Sequence, residues 1–173
     1  EAARKSAVLL KNDGILPLDK SKLKTIGVVG PNADSRVALI GNYHGTSSRY
    51  ITVLEGIQDE LGDEVRVLYS EGSHLYREHL EGLAWRQDRI SEAVTVAEHS
   101  DLTIVVVGLD ETLEGEELDT GNHVGSGAKP DLLLPQVQRE LLEAVSGTGK
   151  PFVVVLMAGS AMDLRYAQEH ANA

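Results

Sequence analysis

LTIVVVG, the run from Leu102 to Gly108, decides the fold, because it is apolar almost throughout and does not alternate with polar residues. A short continuous run of this kind is typical of a strand that is covered on both faces, as in a parallel sheet. Three further runs stand at Thr25–Gly30, Val65–Ser70 and Phe152–Ala158. We therefore expect four strands, mainly parallel.

The segments between these runs have helical periodicity. Thr52 followed by Glu55 predicts a capping box at the start of one helix. Pro135 predicts the first turn of another helix, and Ser160 predicts the N-cap of a third. Helical patterns also cover Glu1–Asn12, Ile90–Ala97 and Tyr166–Ala173.

This alternation of strands and helices predicts an α/β fold, with a mainly parallel, doubly wound sheet and helices on both faces, an α/β sandwich. We expect residues 1–24 to form a helix and linker that lead into the domain, and residues 25–173 to form the sandwich. The helical pattern stops at Ala173 without a capping glycine, so we expect the chain to be a piece of a longer polypeptide.

The charge balance argues against two classes of function. The 173 residues include 16 Lys and Arg against 27 Asp and Glu, for a net charge of −11. Such a chain repels phosphate backbones and anionic lipid, so we expect neither a nucleic-acid partner nor a membrane partner. The sequence contains no cysteine, which excludes disulfides, zinc–thiolate sites and cysteine nucleophiles.

The loop after the third predicted strand is the most distinctive part of the sequence. Residues 109–131 carry seven acidic side chains in a glycine-rich stretch. A loop of about twenty residues inside a domain is usually functional or disordered, and a solvated acidic surface is the alternative interpretation. The order of the acids differs from that of an EF-hand calcium loop. We expect no metal ion at this loop.

Two stretches resemble phosphate-binding motifs but are incomplete. GVVGPNAD after the first strand lacks the G-x-G-x-x-G spacing, and Pro31 removes a backbone N–H that a phosphate would use. Gly147–Lys150 resembles the end of a P-loop, but Pro151 replaces the Ser or Thr that would hold magnesium. The sequence therefore predicts no nucleotide cofactor.

Seven segments, taken in order, resemble the second domain of glycoside hydrolase family 3, which includes β-glucosidases, β-xylosidases and related exo-acting enzymes. They are LLKNDGILPL at 9–18, GVVGPNA at 27–33, GNYHG at 41–45, TVLEGI at 52–57, GLDETLEGEELD at 108–119, LPQVQREL at 134–141 and FVVVLMAGSA at 152–161. Together they span nearly the whole chain. The resemblance implies an α/β sandwich that follows a TIM-type barrel, with the active site between the two domains. It also implies that the sandwich is incomplete at its C-terminus, because the chain ends before the last strand. The unpaired sheet edge that this leaves favours self-association of the chain.

The resemblance also implies which residues take part in the reaction. In that family the nucleophile is an Asp of the barrel in a Ser-Asp-Trp-like motif, whereas the single tryptophan of this chain, Trp85, stands in LAWRQ. The general acid/base is a Glu on a loop of the second domain, in a Gly-Glu or Glu-x-Glu context. Gly115-Glu116 matches that position best, Glu114 is the alternative, and Glu117 ranks third.

We therefore expect the second domain of a retaining exo-acting β-glycosidase, with its general acid/base on the 109–131 loop. Its partners would be an N-terminal barrel domain of the same polypeptide and a β-linked glycoside substrate. The chain alone would be inactive. The alternative is a non-catalytic α/β module that binds a small ligand or a carbohydrate.

Two other residues have a structural and a functional interpretation. His44, in GNYHG, is expected to shape a turn, with substrate contact as the alternative. Trp85, with Leu80 and Leu83 nearby, is expected to pack a helix, with a platform for a sugar ring as the alternative.

Overall fold

Four parallel strands form the centre of the structure. The computed structural model describes residues 2–41, 44–79, 82, 84–115 and 129–173. Within them the strands are β1 (Thr25–Val29), β2 (Arg66–Ser70), β3 (Leu102–Gly108) and β4 (Phe152–Met157). Their order across the sheet is β2-β1-β3-β4, and all neighbouring pairs are parallel. The predicted sheet is confirmed, and each strand agrees with its prediction to within one residue at either end.

The burial of each strand follows from its place in the sheet. β3 lies between β1 and β4, and all seven of its residues are buried, which is why its sequence does not alternate. β2 forms one edge of the sheet, and there Arg66 and Tyr69 are exposed.

Helices cover both faces of the sheet, as predicted for a doubly wound fold. α2 (Val53–Leu61) packs on one face through Leu54 and Leu61. α3 (Asp88–Glu98) and α4 (Gln136–Gly147) pack on the other face. The apolar residues that these two helices bury there are Ile90, Ala93, Ala97, Val137, Leu141, Leu142 and Val145.

The predicted capping box at the start of α2 is present. The Glu55 backbone N–H donates to Thr52 Oγ1 at 3.1 Å, and the Thr52 backbone N–H donates to Glu55 Oε2 at 2.9 Å. The Thr52 hydroxyl also donates to Asp34 Oδ1 at 2.9 Å. Thr52 therefore joins the start of α2 to the loop that follows β1.

The helix predicted over Glu1–Asn12 is wrong beyond its first turn. The structure has a short helix α1 (Ala2–Ser6), and all five of its residues are exposed. An isolated helix without a packed face is marginal in water, so nothing extends it. Further along, Ile15, Leu16 and Leu23 pack against the core on the α2 face.

The helix predicted to start at Ser160 is also wrong. The last helix, α5, spans Arg165–His170. The Ser160 hydroxyl donates to a carboxylate on another loop, so it does not cap a helix. The helical pattern predicted for Tyr166–Ala173 ends early as well. Residues 171–173 are extended beside β4, and Asn172 N–H donates to Phe152 O at 2.9 Å.

The strand order places a switch point between β1 and β3. From β1 the chain moves outward to β2, and it then returns to the other side of β1 for β3 and β4. Ligands of doubly wound folds bind at the carboxyl ends of the strands on either side of such a point. Among the described residues, no helix is long and apolar enough to cross a membrane.

Candidate active site

The acidic loop leaves the sheet at Gly108, where β3 lies very close to β4. Gly108 has φ +149°, and a Cβ at this position would overlap the Met157 carbonyl oxygen. The Leu109 N–H then donates to Met157 O at 2.8 Å. Only glycine permits this approach, so the start of the loop has a defined position above β4.

Two buried side-chain amides hold the same point. Gln138 of α4 is fully buried, and its Oε1 accepts from Gly108 N–H at 2.8 Å while its Nε2 donates to Gly108 O at 2.7 Å. Asn32, on the loop after β1, is also buried and donates from Nδ2 to Leu109 O at 3.0 Å. Sequence reasoning missed both residues. The available signal for Gln138 was a polar residue on the apolar side of a predicted helix.

The first turn of the acidic loop is built by Asp110. Its Oδ1 accepts from the Thr112 backbone N–H at 2.9 Å and from the Thr112 hydroxyl at 2.6 Å. Its carbonyl oxygen accepts from Leu113 N–H and Glu114 N–H, both at 3.0 Å. Leu113 is buried beneath this turn. Asp110 therefore shapes the loop, and Glu114 follows at the end of the turn.

Glu114 joins the acidic loop to the loop after β4. Its Oε2 accepts from Gly159 N–H at 2.9 Å, and its Oε1 accepts from the Ser160 hydroxyl. These partners lie 45 and 46 residues away in the sequence. Both carboxylate oxygens of Glu114 are thus engaged in holding two loops together.

His44 brings the loop after β1 to the same place. Its backbone turns with φ +51° and its N–H donates to Gly41 O at 3.4 Å, as expected for a residue that shapes a turn. Its Nε2 lies 2.6 Å from Glu111 Oε2. This contact is an ion pair when the imidazole is protonated. Glu111 Oε2 is enclosed and receives no hydrogen bond from a described residue.

An open cavity of about 830 Å³ lies among these loops. Glu111, Glu114, Lys129 and Ser160 contribute its polar lining, and Ile40 and Met157 contribute apolar surface. This volume is within the usual range for small-molecule sites. The Nζ of Lys129 donates to Ala161 O at 2.6 Å, so this cation is held against the loop after β4.

The predicted acid/base Glu116 and the third candidate Glu117 lie outside the described residues, which resume at Lys129. Glu114 is the alternative candidate, and the structure describes it. Within the described ranges, no group of three or more His, Cys, Asp or Glu side chains is arranged to hold a metal ion.

A second cavity, of about 390 Å³, lies beside the loop after β2. His74 Nδ1 accepts there from Tyr76 N–H at 3.1 Å and from Arg77 N–H at 3.0 Å. Burial lowers the pKa of His74 below its ordinary value, and the positive charge of Arg77 lowers it further. The ring is therefore neutral over most of the physiological range, with its proton on Nε2.

The packing predicted for Trp85 is wrong. Its side chain is 82% exposed. The Trp85 backbone N–H donates to Asp88 Oδ2 at 2.9 Å. Trp85 therefore lies just before the N-terminal end of α3 and away from the apolar face of that helix. Leu80 and Leu83 lie outside the described residues.

Comparison with known protein families gives a match over nearly the whole chain. Residues 7–173 match the family described as the glycosyl hydrolase family 3 C-terminal domain. A β-xylosidase from Formosa agariphila is 36% identical over 98% of this chain, and a periplasmic β-glucosidase from Salmonella typhimurium is 36% identical over all of it. The chain spans 22% and 23% of the length of these two relatives.

Solved structures agree with these relatives. A family 3 exo-β-xylosidase in complex with a xylobiose aziridine activity-based probe superposes with a TM-score of 0.76 at 30% identity, covering 94% of this chain and 19% of that one. A β-glucosidase from Erythrobacter marinus gives a TM-score of 0.76 at 28% identity, covering 95% of this chain and 24% of that one.

Proposed function

Because the chain belongs to the glycosyl hydrolase family 3 C-terminal domain family, we propose that it is the second domain of a retaining exo-acting β-glycosidase of the β-xylosidase or β-glucosidase type. In this proposal the 109–131 loop supplies the general acid/base, and Glu116 is that residue. The nucleophile lies on an N-terminal barrel domain of the same polypeptide. The substrate is a β-linked glycoside that binds between the two domains.

The hydrogen bonds of Glu114 are the observation that carries the choice of Glu116 over Glu114. Both of its oxygens accept from the loop after β4, whereas a proton donor must direct its carboxyl group at the oxygen of the substrate. Glu114 therefore suits a brace better than an acid. This supports Glu116, two residues further along the same loop, as the residue that protonates the leaving group.

The surroundings of the loop suit this chemistry. A retaining glycosidase needs two carboxyl groups about 5 Å apart, one to attack the anomeric carbon and one to protonate the leaving oxygen. The second group later takes a proton from the water that hydrolyses the glycosyl-enzyme. An acid of this kind must keep its proton near neutral pH, and neighbouring carboxylates favour the protonated form by charge repulsion. Glu111 and Glu114 stand five and two residues before Glu116 in the sequence of this loop.

The test is Glu116→Ala in the full-length enzyme that contains this chain. Loss of proton donation lowers kcat/KM by about 10²–10⁴ on glycosides with poor leaving groups, and by much less on activated aryl glycosides. Water then lacks its general base, so the glycosyl-enzyme accumulates. Azide needs no deprotonation, and it displaces the enzyme carboxylate to give a glycosyl azide of retained configuration.

Glu117→Ala is the matched control, and we expect no azide rescue in this variant. Rescue in a Glu114→Ala variant and not in Glu116→Ala would reverse the assignment. Rescue in Glu117→Ala alone would assign the role to Glu117, and rescue in none of the three variants would exclude all three glutamates as the proton donor. Turnover of aryl β-xylosides or β-glucosides by the isolated chain would refute the division of labour between the two domains.

A further inference from the structure

We propose that Gln138 is a positioning residue, which fixes the direction in which the acid-bearing loop leaves the sheet. This inference rests on the proposed function of that loop. It concerns a residue of α4 that does not line the cavity formed by Glu111 and Glu114.

The hydrogen bonds of Gln138 join one side chain to both polar groups of one residue. Oε1 accepts from Gly108 N–H at 2.8 Å, and Nε2 donates to Gly108 O at 2.7 Å. Nε2 also donates to Leu75 O at 2.7 Å. The amide therefore continues the hydrogen-bonding pattern of a strand at the point where β3 ends, and ties that point to the loop after β2.

Packing alone does not account for a glutamine here. Gln138 is fully buried, and its neighbours Val137, Leu141 and Leu142 on α4 are apolar and buried. A buried amide is costly unless its polar atoms are paired, and a leucine would fill the same space without that cost. What glutamine adds at this position is the set of three hydrogen bonds to the exits of β3 and β2.

A second buried amide acts at the next residue. Asn32 Nδ2 donates to Leu109 O at 3.0 Å, across the switch point between β1 and β3. Asn32 Oδ1 is enclosed and has no hydrogen-bond partner among the described residues. The bond to Leu109 is therefore the hydrogen bond that the Asn32 side chain makes within the described structure.

These contacts make Gly108–Leu109 the first of two fixed points on the acidic loop. Glu114, bonded to Gly159 and Ser160, is the second. Glu116 lies two residues beyond the second point. Loss of the Gln138 bonds weakens the first point, and a displacement of about 1 Å in a reacting group can cost about 10² in rate.

The first test is Gln138→Met in the full-length enzyme, with Gln136→Met as the matched control. Methionine has a similar length and offers no amide, while Gln136 is an exposed residue of the same helix that bonds Glu140. We expect Gln138→Met to lower kcat/KM by about 10- to 100-fold on glycosides with poor leaving groups. The loss of kcat/KM on activated aryl glycosides is at most a few-fold, because their leaving groups need little protonation. Gln136→Met behaves as wild type.

The second test is Gln138→Glu, which separates positioning from packing. A neutral carboxylic acid has one donor and one acceptor, so it can keep the paired bonds to Gly108. A carboxylate has no donor. The loss on poor leaving groups should therefore be small at low pH and grow as pH rises through the pKa of the introduced carboxyl, which burial raises. If Gln138→Met yields no folded protein, the pH dependence of Gln138→Glu still tests the positioning role of Gln138.

Equal losses on both substrate classes, or a Gln138→Glu defect that is the same at every pH, would overturn the inference. A lowered melting temperature with unchanged leaving-group dependence would also overturn it, because that result is expected for packing alone. The azide experiment on Glu116→Ala keeps the two proposals apart. Rescue there with no selective effect at Gln138 refutes the positioning role only, whereas absence of rescue refutes the assignment of the acid.

Discussion

Removal of the Glu114 brace should lower activity by an amount that follows from its hydrogen bonds. Glu114→Ala deletes the acceptor of Gly159 N–H and of the Ser160 hydroxyl. Ser160→Ala deletes only the second bond. Comparison of the two substitutions therefore separates the contributions of the two bonds.

The magnitude depends on exposure. Hydrogen bonds to a charged group contribute about 1.5–3 kcal/mol when protected from water. Gly159 and Ser160 are exposed and Glu114 is half-buried, so we take about 1 kcal/mol for each bond. If only the braced form of the loop is active, loss of one bond in Ser160→Ala lowers the ratio of braced to unbraced loop about fivefold. Loss of both bonds in Glu114→Ala lowers this ratio about 30-fold. The latter value is below the range of about 10²–10⁴ for loss of a proton donor.

The assay is kcat/KM of the full-length enzyme on a glycoside with a poor leaving group, with and without azide. We expect no azide rescue in Glu114→Ala. The double variant with Ser160→Ala should be no worse than Glu114→Ala alone, because the same contact cannot be lost twice. Activity of Glu114→Ala within twofold of wild type would refute the brace, as would additive losses in the double variant.

Two further predictions concern stability. Thr52→Val removes the hydroxyl that caps Glu55 N–H, and it should lower the free energy of unfolding, measured by urea titration, by about 1–2 kcal/mol. Thr95→Val, on the exposed side of α3, is the control and should lower this free energy less. Equal losses in the two variants would contradict the capping role. Because the pKa of His74 is lowered in the folded chain, the unfolded chain binds the proton first as pH falls below about 6.5, so stability falls there. His74→Asn keeps a side-chain acceptor but does not titrate. Between about pH 8 and about pH 5 its melting temperature should therefore fall less than that of the wild type. Equal falls would refute protonation of His74 as the cause.

Local patterns determined much of the architecture. The unbroken apolar run of β3 predicts a strand buried on both faces, because burial on both sides leaves no position for a polar residue. The capping box of Thr52 and Glu55 could also be predicted, because its two residues stand only three positions apart in the sequence. The ordered family segments pointed to the glycoside hydrolase family 3 second domain, and the match over residues 7–173 confirms that resemblance.

Long-range contacts decided the rest. Ser160 has the sequence of a helix cap, but its hydroxyl donates to Glu114, which lies 46 residues earlier. Gln138 meets Gly108 across 30 residues, and a sequence pattern shows only that it is polar on an apolar helix face. Hydrogen-bond partners that are distant in sequence are chosen by how the strands and helices pack. The sequence by itself therefore determined the four strands, the start of α2 and the family, while the tertiary structure decided how far the terminal helices extend and which side chains hold the acidic loop in place.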